Sequence, residues 1–426
     1  MEILVVFLLL FIFLYFKVPI FISLLASTLI GTLFHDKIPF IEIVRSSITG
    51  IDSLILFAAP LFILSGKIIL EGGISNKLIE WINLFFGFSR LRLAYVNIFG
   101  SMFFGGISGS ATADSAAIGS VLIPEMEKQN YPKSYSAAIT AASSSIGIII
   151  PPSVPMILAG SVTSVSVMKL FVGGYLPGLL IAVSLAITAY LLRPKDIISD
   201  TYIINFKSIF KTTYEALPAI VFPLIIMVGI LGGIFTATEA AAVAVFYALF
   251  IAKFVYKTLS FEILKKCLIE SAQFTTIVFI IVSSAQAFAR YLTLNRVPQQ
   301  LSEFVFTITD NPILVKLIII LILLFIGTFM ETVPIVIVLY PILEPIALSI
   351  GMNPIHYGLV FMCTISIGML TPPYGILIFV NSKIAQINSK SLIYSLLPYI
   401  LVLLIDVIII TFIPEIVLLP VNYFYK

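Results

Sequence analysis

Histidine and cysteine are nearly absent from this 426-residue chain, with two of each. Cys267 and Cys363 stand alone in sequence, so they offer neither a disulfide framework nor a thiolate metal site. His35 and His356 are the whole supply of imidazole, which argues against a histidine-based metal centre. Charge is scarce too: Asp, Glu, Lys and Arg make up 11% of the chain, against about 25% in a soluble domain. Ser65-Gly66-Lys67 lacks the spaced glycine of a phosphate loop, so ATP hydrolysis by this chain is excluded. Neither His-Glu-x-x-His nor Gly-x-Ser-x-Gly occurs, and no enzyme activity is expected. A net charge of +3 gives no reason to expect a nucleic-acid partner.

What is abundant is apolar surface, at 60% of residues. Buried volume grows too slowly with chain length for a core to absorb that much, so lipid must solvate much of the exterior. At about 20 residues per span, the length allows roughly ten to twelve spans or half-spans. The apolar start has Glu2, no basic segment and no small-residue cleavage site, and reads as a retained membrane segment. Apolar runs follow at 3–16, 19–34, 53–70, 78–86 and 93–104, then 136–150, 155–162 and 170–192. After a polar stretch at 193–213 they resume at 216–235, 237–256, 274–294, 313–329, 359–370, 375–384 and 392–419. The polar stretch carries Arg193, Lys195, Lys207 and Lys211, and a later loop carries Lys253, Lys257, Lys265 and Lys266. Both are cytoplasmic by the positive-inside rule, with two spans between them.

An internal repeat is the sharpest signal. Ser145-Ile146-Gly147-Ile148-Ile149-Ile150-Pro151-Pro152 matches Ser366-Ile367-Gly368-Met369-Leu370-Thr371-Pro372-Pro373 at an offset of 221. The same offset pairs Gly106 with Gly327, Pro124 with Pro345, Ser161 with Ser382, Lys169 with Lys390, and Leu176-Pro177 with Leu397-Pro398. The loop with Arg90 and Arg92 corresponds to one with Asp310, which predicts copies of opposite orientation.

Two broken regions, 105–124 and 327–345, interrupt the apolar runs. The first reads Gly105-Gly106-Ile107-Ser108-Gly109-Ser110-Ala111-Thr112-Ala113-Asp114-Ser115. Non-helical chain at membrane depth is tolerated only where it is buried or lines a cavity, as at a re-entrant hairpin tip. Carbonyls and hydroxyls there suit a hard cation, and half-helix N-termini suit an anion. The plainer reading is close helix packing by small residues. Asp114 is costly at that depth, and either contacts a ligand or braces the hairpin. Glu331, in Gly327-Thr328-Phe329-Met330-Glu331-Thr332, is its counterpart in role, though not at the 221 offset. The Pro-Pro pairs are expected to unwind their helices and free carbonyls at 147–150 and 368–371, a natural sodium shell, or else simply to end a span. Arg290 could meet an anion, but near a span end it reads chiefly as a snorkelling side chain.

These motifs, together with Asn353-Pro354 and Thr371-Pro372-Pro373-Tyr374-Gly375, resemble the large membrane subunit of tripartite ATP-independent periplasmic (TRAP) transporters over nearly the whole chain. The resemblance implies an all-α, inverted-repeat, elevator-type transporter of the bacterial inner membrane, related in fold to divalent-anion/sodium symporters, with two re-entrant hairpins. It implies scaffold parts at 1–92 and 214–312, transport-domain repeats at 93–192 and 313–426, and a cytoplasmic linker at 193–213. Partners would be a separate small four-helix membrane subunit and a periplasmic substrate-binding protein. Cargo would be a small organic acid such as sialic acid or a C4-dicarboxylate, with two or more Na+ as coupling ions and no other cofactor. One Na+ site would use Ser108, Ser110, Gly147, Ile150 and Pro152, and a second Gly327, Met330, Gly368, Thr371 and Tyr374. Cargo would lie between the tips, near Ser108, Ser110, Asp114, Glu331 and Thr332. Many members of that family have Asp where this chain has Glu331. The alternatives are a standalone ion-coupled anion permease or exporter of the same superfamily, or a membrane enzyme, for which no catalytic group is visible.

Overall fold

The computed structural model describes residues 2–34, 39–198 and 206–425. His35 and the centre of the polar stretch, 199–205, lie outside the described residues. Among those described there are helices and no strands, and seven helices are long and apolar enough to cross a membrane.

The first copy comprises α1 (Glu2–Tyr15), α2 (Ile20–Leu33), α3 (Phe40–Thr49), α4 (Ala58–Glu71), α5 (Ile74–Phe86), α6 (Arg92–Ser108), α7 (Ala111–Lys128), α8 (Lys133–Ser144), α9 (Val154–Val162) and α10 (Val167–Leu191). The second comprises α11 (Phe206–Leu231), α12 (Ala237–Phe250), α13 (Phe261–Leu294), α14 (Val297–Ile308), α15 (Pro312–Gly327), α16 (Thr332–Ser349), α17 (Pro354–Gly368), α18 (Ile376–Ala385) and α19 (Ser389–Phe412). A last helix, α20 (Glu415–Phe424), packs on α10 and α17.

The 221 offset holds element by element. Added to the bounds of α7 it gives 332 and 349, the bounds of α16. Added to α10 it gives 388 and 412, against 389 and 412 for α19. The two cis Pro-Pro bonds, Pro151-Pro152 and Pro372-Pro373, obey it as well. It also maps α3 and α4 onto 261–270 and 279–292, the two ends of the single long helix α13.

The copies run in opposite directions. The mouth of hairpin α6–α7 lies at one end, where Tyr131 donates to the Arg90 carbonyl (3.1 Å) and Tyr135 to the Ala189 carbonyl (2.8 Å). The basic loop after α12 joins this end through Tyr256, which donates to the Glu215 carbonyl (2.6 Å), beside the Lys77–Glu215 ion pair (2.8 Å). The mouth of hairpin α15–α16 lies at the other end, where Glu344 and Asn353 share a cavity with Ser166 and Lys169.

Several boundaries differ from the sequence reading. The broken regions shrink to tips of a few residues, because Pro124, Pro341 and Pro345 sit inside helices. Neighbouring helices and local adjustment make proline tolerable in a membrane helix. The run at 392–419 is two helices parted at Ile413-Pro414, and 274–294 begins earlier, at Phe261. Helices α3 and α14 fall in stretches too polar to register as apolar runs.

Side chains tie the copies together. Helix α13 carries Glu270, Lys266 and Arg290, which pair with Lys67, Glu71 (2.9 Å) and Glu42 (2.6 Å) of the first copy. The only tryptophan, Trp81 on α5, stands edge-on to Phe103 of α6 at 5.7 Å. Between α6 and α8 a buried network joins Asn97 to Thr140 (2.7 Å) and Ser101 to Ser143 (2.8 Å). Asn97→Leu strands the Thr140 and Ser143 hydroxyls from their amide partner, so a loss of about 1–3 kcal/mol is expected. Thermal unfolding of the purified complex in detergent checks this; an unchanged midpoint would remove the network's structural role.

Candidate functional site

Each hairpin tip sits against the Pro-Pro break of its own copy. At the first, Gly109 adopts φ +61°, and the next residue, Ser110, caps α7 by accepting from the Ala113 amide (3.5 Å). The Val154 amide donates to the Gly109 carbonyl (3.3 Å), so tip and break share a backbone hydrogen bond. A Cβ on Gly105 would lie 2.8 Å from the Gly147 Cα, so the backbones cross in contact. The second tip repeats this: a Cβ on Gly327 would lie 3.1 Å from the Gly368 Cα, and the Tyr374 amide donates to the Thr328 carbonyl (3.1 Å). Ser108, Ser110, Ile150 and Pro152 are thus gathered at one crossing, and Gly327, Gly368 and Tyr374 at the other.

Not every carbonyl at the breaks is free. The Ile148 carbonyl accepts from the Ser153 hydroxyl (2.7 Å), and those of Gly368, Met369 and Thr371 accept from the amides of Thr371, Leu377 and Gly375. A carbonyl has two lone pairs, so each keeps capacity for a second partner.

The two acids occupy different settings. Asp114 is fully buried behind the first tip. One carboxylate oxygen accepts from the Ser108 hydroxyl, and the other has no hydrogen-bond partner. That orphaned oxygen lies beside Gly105 and Gly147, and a Cβ on Gly147 would overlap it. Glu331 stands at the N-cap of α16 but makes no capping hydrogen bond, and its side chain opens on a cavity. By the 221 offset Glu331 corresponds to Ser110, so the two caps are equivalent positions carrying different groups.

The cavity, about 310 Å³, lies between the tips. Ser108, Ser110, Glu331 and Thr332 line it, with the N-terminal turns of α7 and α16 in its wall. Helix α4 closes one side: a Cβ on Gly66 would meet the Ile107 carbonyl oxygen at 3.0 Å, and the next residue, Lys67, reaches the cavity. Sequence reasoning missed Lys67, Phe274 and Met369 as lining residues. A lysine within an apolar run was the available signal for the first.

A family model described as the DctM component of the tripartite ATP-independent periplasmic transporter matches residues 7–416. The chain belongs to this family. Similar proteins include the isethionate TRAP transporter permease protein DctMQ of Oleidesulfovibrio alaskensis, 37% identical over 95% of the chain. The chain spans 64% of that relative's length. The sialic acid TRAP transporter large permease protein SiaM of Vibrio cholerae is 34% identical over 87% of each chain. The C4-dicarboxylate large permease protein DctM of Pseudomonas aeruginosa is 34% identical over 86% of each. The YdaH transporter of Alcanivorax borkumensis has the same fold, with a TM-score of 0.61 over 84% of each chain at 14% identity. This TRAP permease is a multi-pass protein of the bacterial inner membrane and a transporter subunit, not an enzyme.

Proposed function

We propose that this TRAP permease uses a sodium gradient to drive uptake of a small organic acid, such as a sialic acid or C4-dicarboxylate, by an elevator movement. A periplasmic binding protein hands over the acid, and a small four-helix membrane subunit packs on the scaffold. Residues 1–92 and 214–312 form that scaffold, 93–192 and 313–426 the moving part, and 193–213 a cytoplasmic linker. The end bearing Lys253, Lys257, Lys265 and Lys266 faces the cytoplasm.

The observation that carries this reading is the cavity between two inverted hairpin tips. The N-terminal turns of α7 and α16 point into it, each with unpaired amides and the positive end of a helix dipole. Such ends favour a carboxylate. Ser108, Ser110 and Thr332 offer hydroxyls, and Glu331 can accept from donors on the cargo. The orphaned Asp114 oxygen is the observation that fits a cation. Na+ would be held at the first crossing by Ser108, Ser110, Gly147, Ile150 and Pro152. At the second it would be held by Gly327, Met330, Gly368, Thr371 and Tyr374. Bound there, it offsets the carbonyl and carboxylate charge beside an anionic cargo. Coupling requires ion and acid to raise each other's affinity equally.

The test is uptake of radiolabelled succinate, N-acetylneuraminate or isethionate by the complex in liposomes, with its binding protein. Accumulation is expected with an inward Na+ gradient and only background uptake with K+ or choline. Equal uptake in all three salts would sink the sodium coupling.

A further inference from the structure

Two cavities lie along the seam between the proposed scaffold and the hairpins, and each has one basic side chain in its wall. Lys67 of α4 lines the cavity between the tips. Arg290 of α13 lines a second, about 350 Å³, with Ser46, Thr49, Gln286, Ser161 and Pro341. Both cations are held by a carboxylate from across the repeat. Lys67 pairs with Glu270, and one oxygen of Glu42 accepts from Nε (3.0 Å) and Nη2 (2.6 Å) of Arg290.

The two pairs join corresponding elements of the two copies, though not at offset positions, since 221 carries Glu42 to Ile263 and Lys67 to Phe288. The offset relates α3 to the start of α13, and α4 to its end. An acid on the α3-type element holds a base on the α4-type element in each case: Glu42 with Arg290, and Glu270 with Lys67. The pairs lie toward opposite ends. Glu71 and Lys266, one turn along from Lys67 and Glu270, form an ion pair at the basic end. Ser161, beside Arg290, precedes the loop that meets the mouth of the second hairpin.

We infer that Lys67 and Arg290 are the scaffold's two alternating contacts for the acid group of the cargo, a carboxylate or sulfonate, Arg290 when the site opens to the periplasm and Lys67 when it opens to the cytoplasm. The inference rests on the organic-acid reading above. Both pairs are partly exposed, with side-chain exposures of 31% and 35% for Lys67 and Glu270, and 41% and 31% for Arg290 and Glu42. Neither base is enclosed by its acid: each opens on a cavity, where it keeps donors for an acid group of the cargo. A guanidinium has five donors, of which Glu42 engages two. Each acid balances the charge of its own base while cargo is away. Alternation follows from the fold: each cation is fixed on the scaffold at its own end, and the hairpins pass between them.

The test uses the reconstituted complex with its small subunit and binding protein, and whichever of succinate, N-acetylneuraminate and isethionate the wild type accumulates. KM is measured for entry, and separately for exit from loaded vesicles. Arg290→Gln is expected to raise the entry KM by about tenfold or more, and Lys67→Gln the exit KM. Glu270→Gln frees Lys67 and leaves the exit KM equal or lower. The double swap Lys67→Glu with Glu270→Lys keeps the ion pair but moves the cation. It serves where single variants fold poorly, and it should reproduce the Lys67→Gln defect. Equal losses from the acid and base variants, a tolerated swap, or changes without sidedness would each identify the pairs as braces and overturn the inference. A wild type that accumulates none of the three acids would remove the functional reading, and this inference with it.

Discussion

Gly368→Ala is expected to bring uptake down to the liposome background. A Cβ at Gly368 would lie 2.7 Å from the Cα and carbonyl carbon of Gly327 and 2.8 Å from its oxygen. All three are backbone atoms, so no side-chain rotation relieves the clash, and the second tip must part from its break. Overpacking of this kind costs about 1–3 kcal/mol in stability. The functional cost is larger, because the crossing sets the tip that borders the cavity. Gly100→Ala is the matched control. Its Cβ would touch only the Ile118 Cδ1, at 3.5 Å, an ordinary contact from α6 to α7. Alanine there should leave uptake intact and stabilise the helix by roughly 0.5–1 kcal/mol. Uptake by both variants, with Na+-dependent accumulation in each, checks the pair. Normal transport by Gly368→Ala would mean that the crossing can open freely.

Asp114→Asn carries the second large effect. The substitution keeps the shape of the side chain and an oxygen to accept from Ser108, but removes the charge. The orphaned oxygen becomes, or is exchanged for, an amide nitrogen that can only donate. If that oxygen faces a cation, the half-saturating Na+ concentration should rise by about tenfold or more, the size of one lost charged contact. Ser108→Ala should raise it less. If Asp114 is only a brace, the Na+ dependence of Asp114→Asn stays at the wild-type value, and the cation at this tip must lie elsewhere. Titrating uptake against Na+ at fixed cargo separates the outcomes.

The features legible in the sequence are those that repeat. A constant offset exposed the duplication through Gly106 and Gly327 and through the two Pro-Pro pairs, although the glycine that crosses Gly147 is Gly105, one position before the partner of Gly327. The direction of the copies was legible from a few charges in short loops. The extent of the broken regions was not. Proline and small residues mark a weakened helix, but whether Pro124 or Pro345 ends one depends on the neighbours that surround it. Lys67 was also hidden. Its placement depends on Glu270, 203 residues away, and on the approach of Gly66 to the first tip. Arg290, read as a snorkelling side chain, proves to be tied to Glu42 across the repeat. The equivalence of Ser110 and Glu331 was present as arithmetic, but it acquired meaning only when both became helix caps.

The lone Trp81 has a practical consequence. It sits on α5, within the proposed scaffold, and its ring meets Phe103 on α6, the first helix of the proposed moving part. A chain with one indole emits from one place. Intrinsic fluorescence of this permease therefore watches the joint between stationary and travelling elements, with no dye and no engineered cysteine, provided that its companion subunits are made without tryptophan. A shift in that emission on adding sodium or acid would time the movement directly.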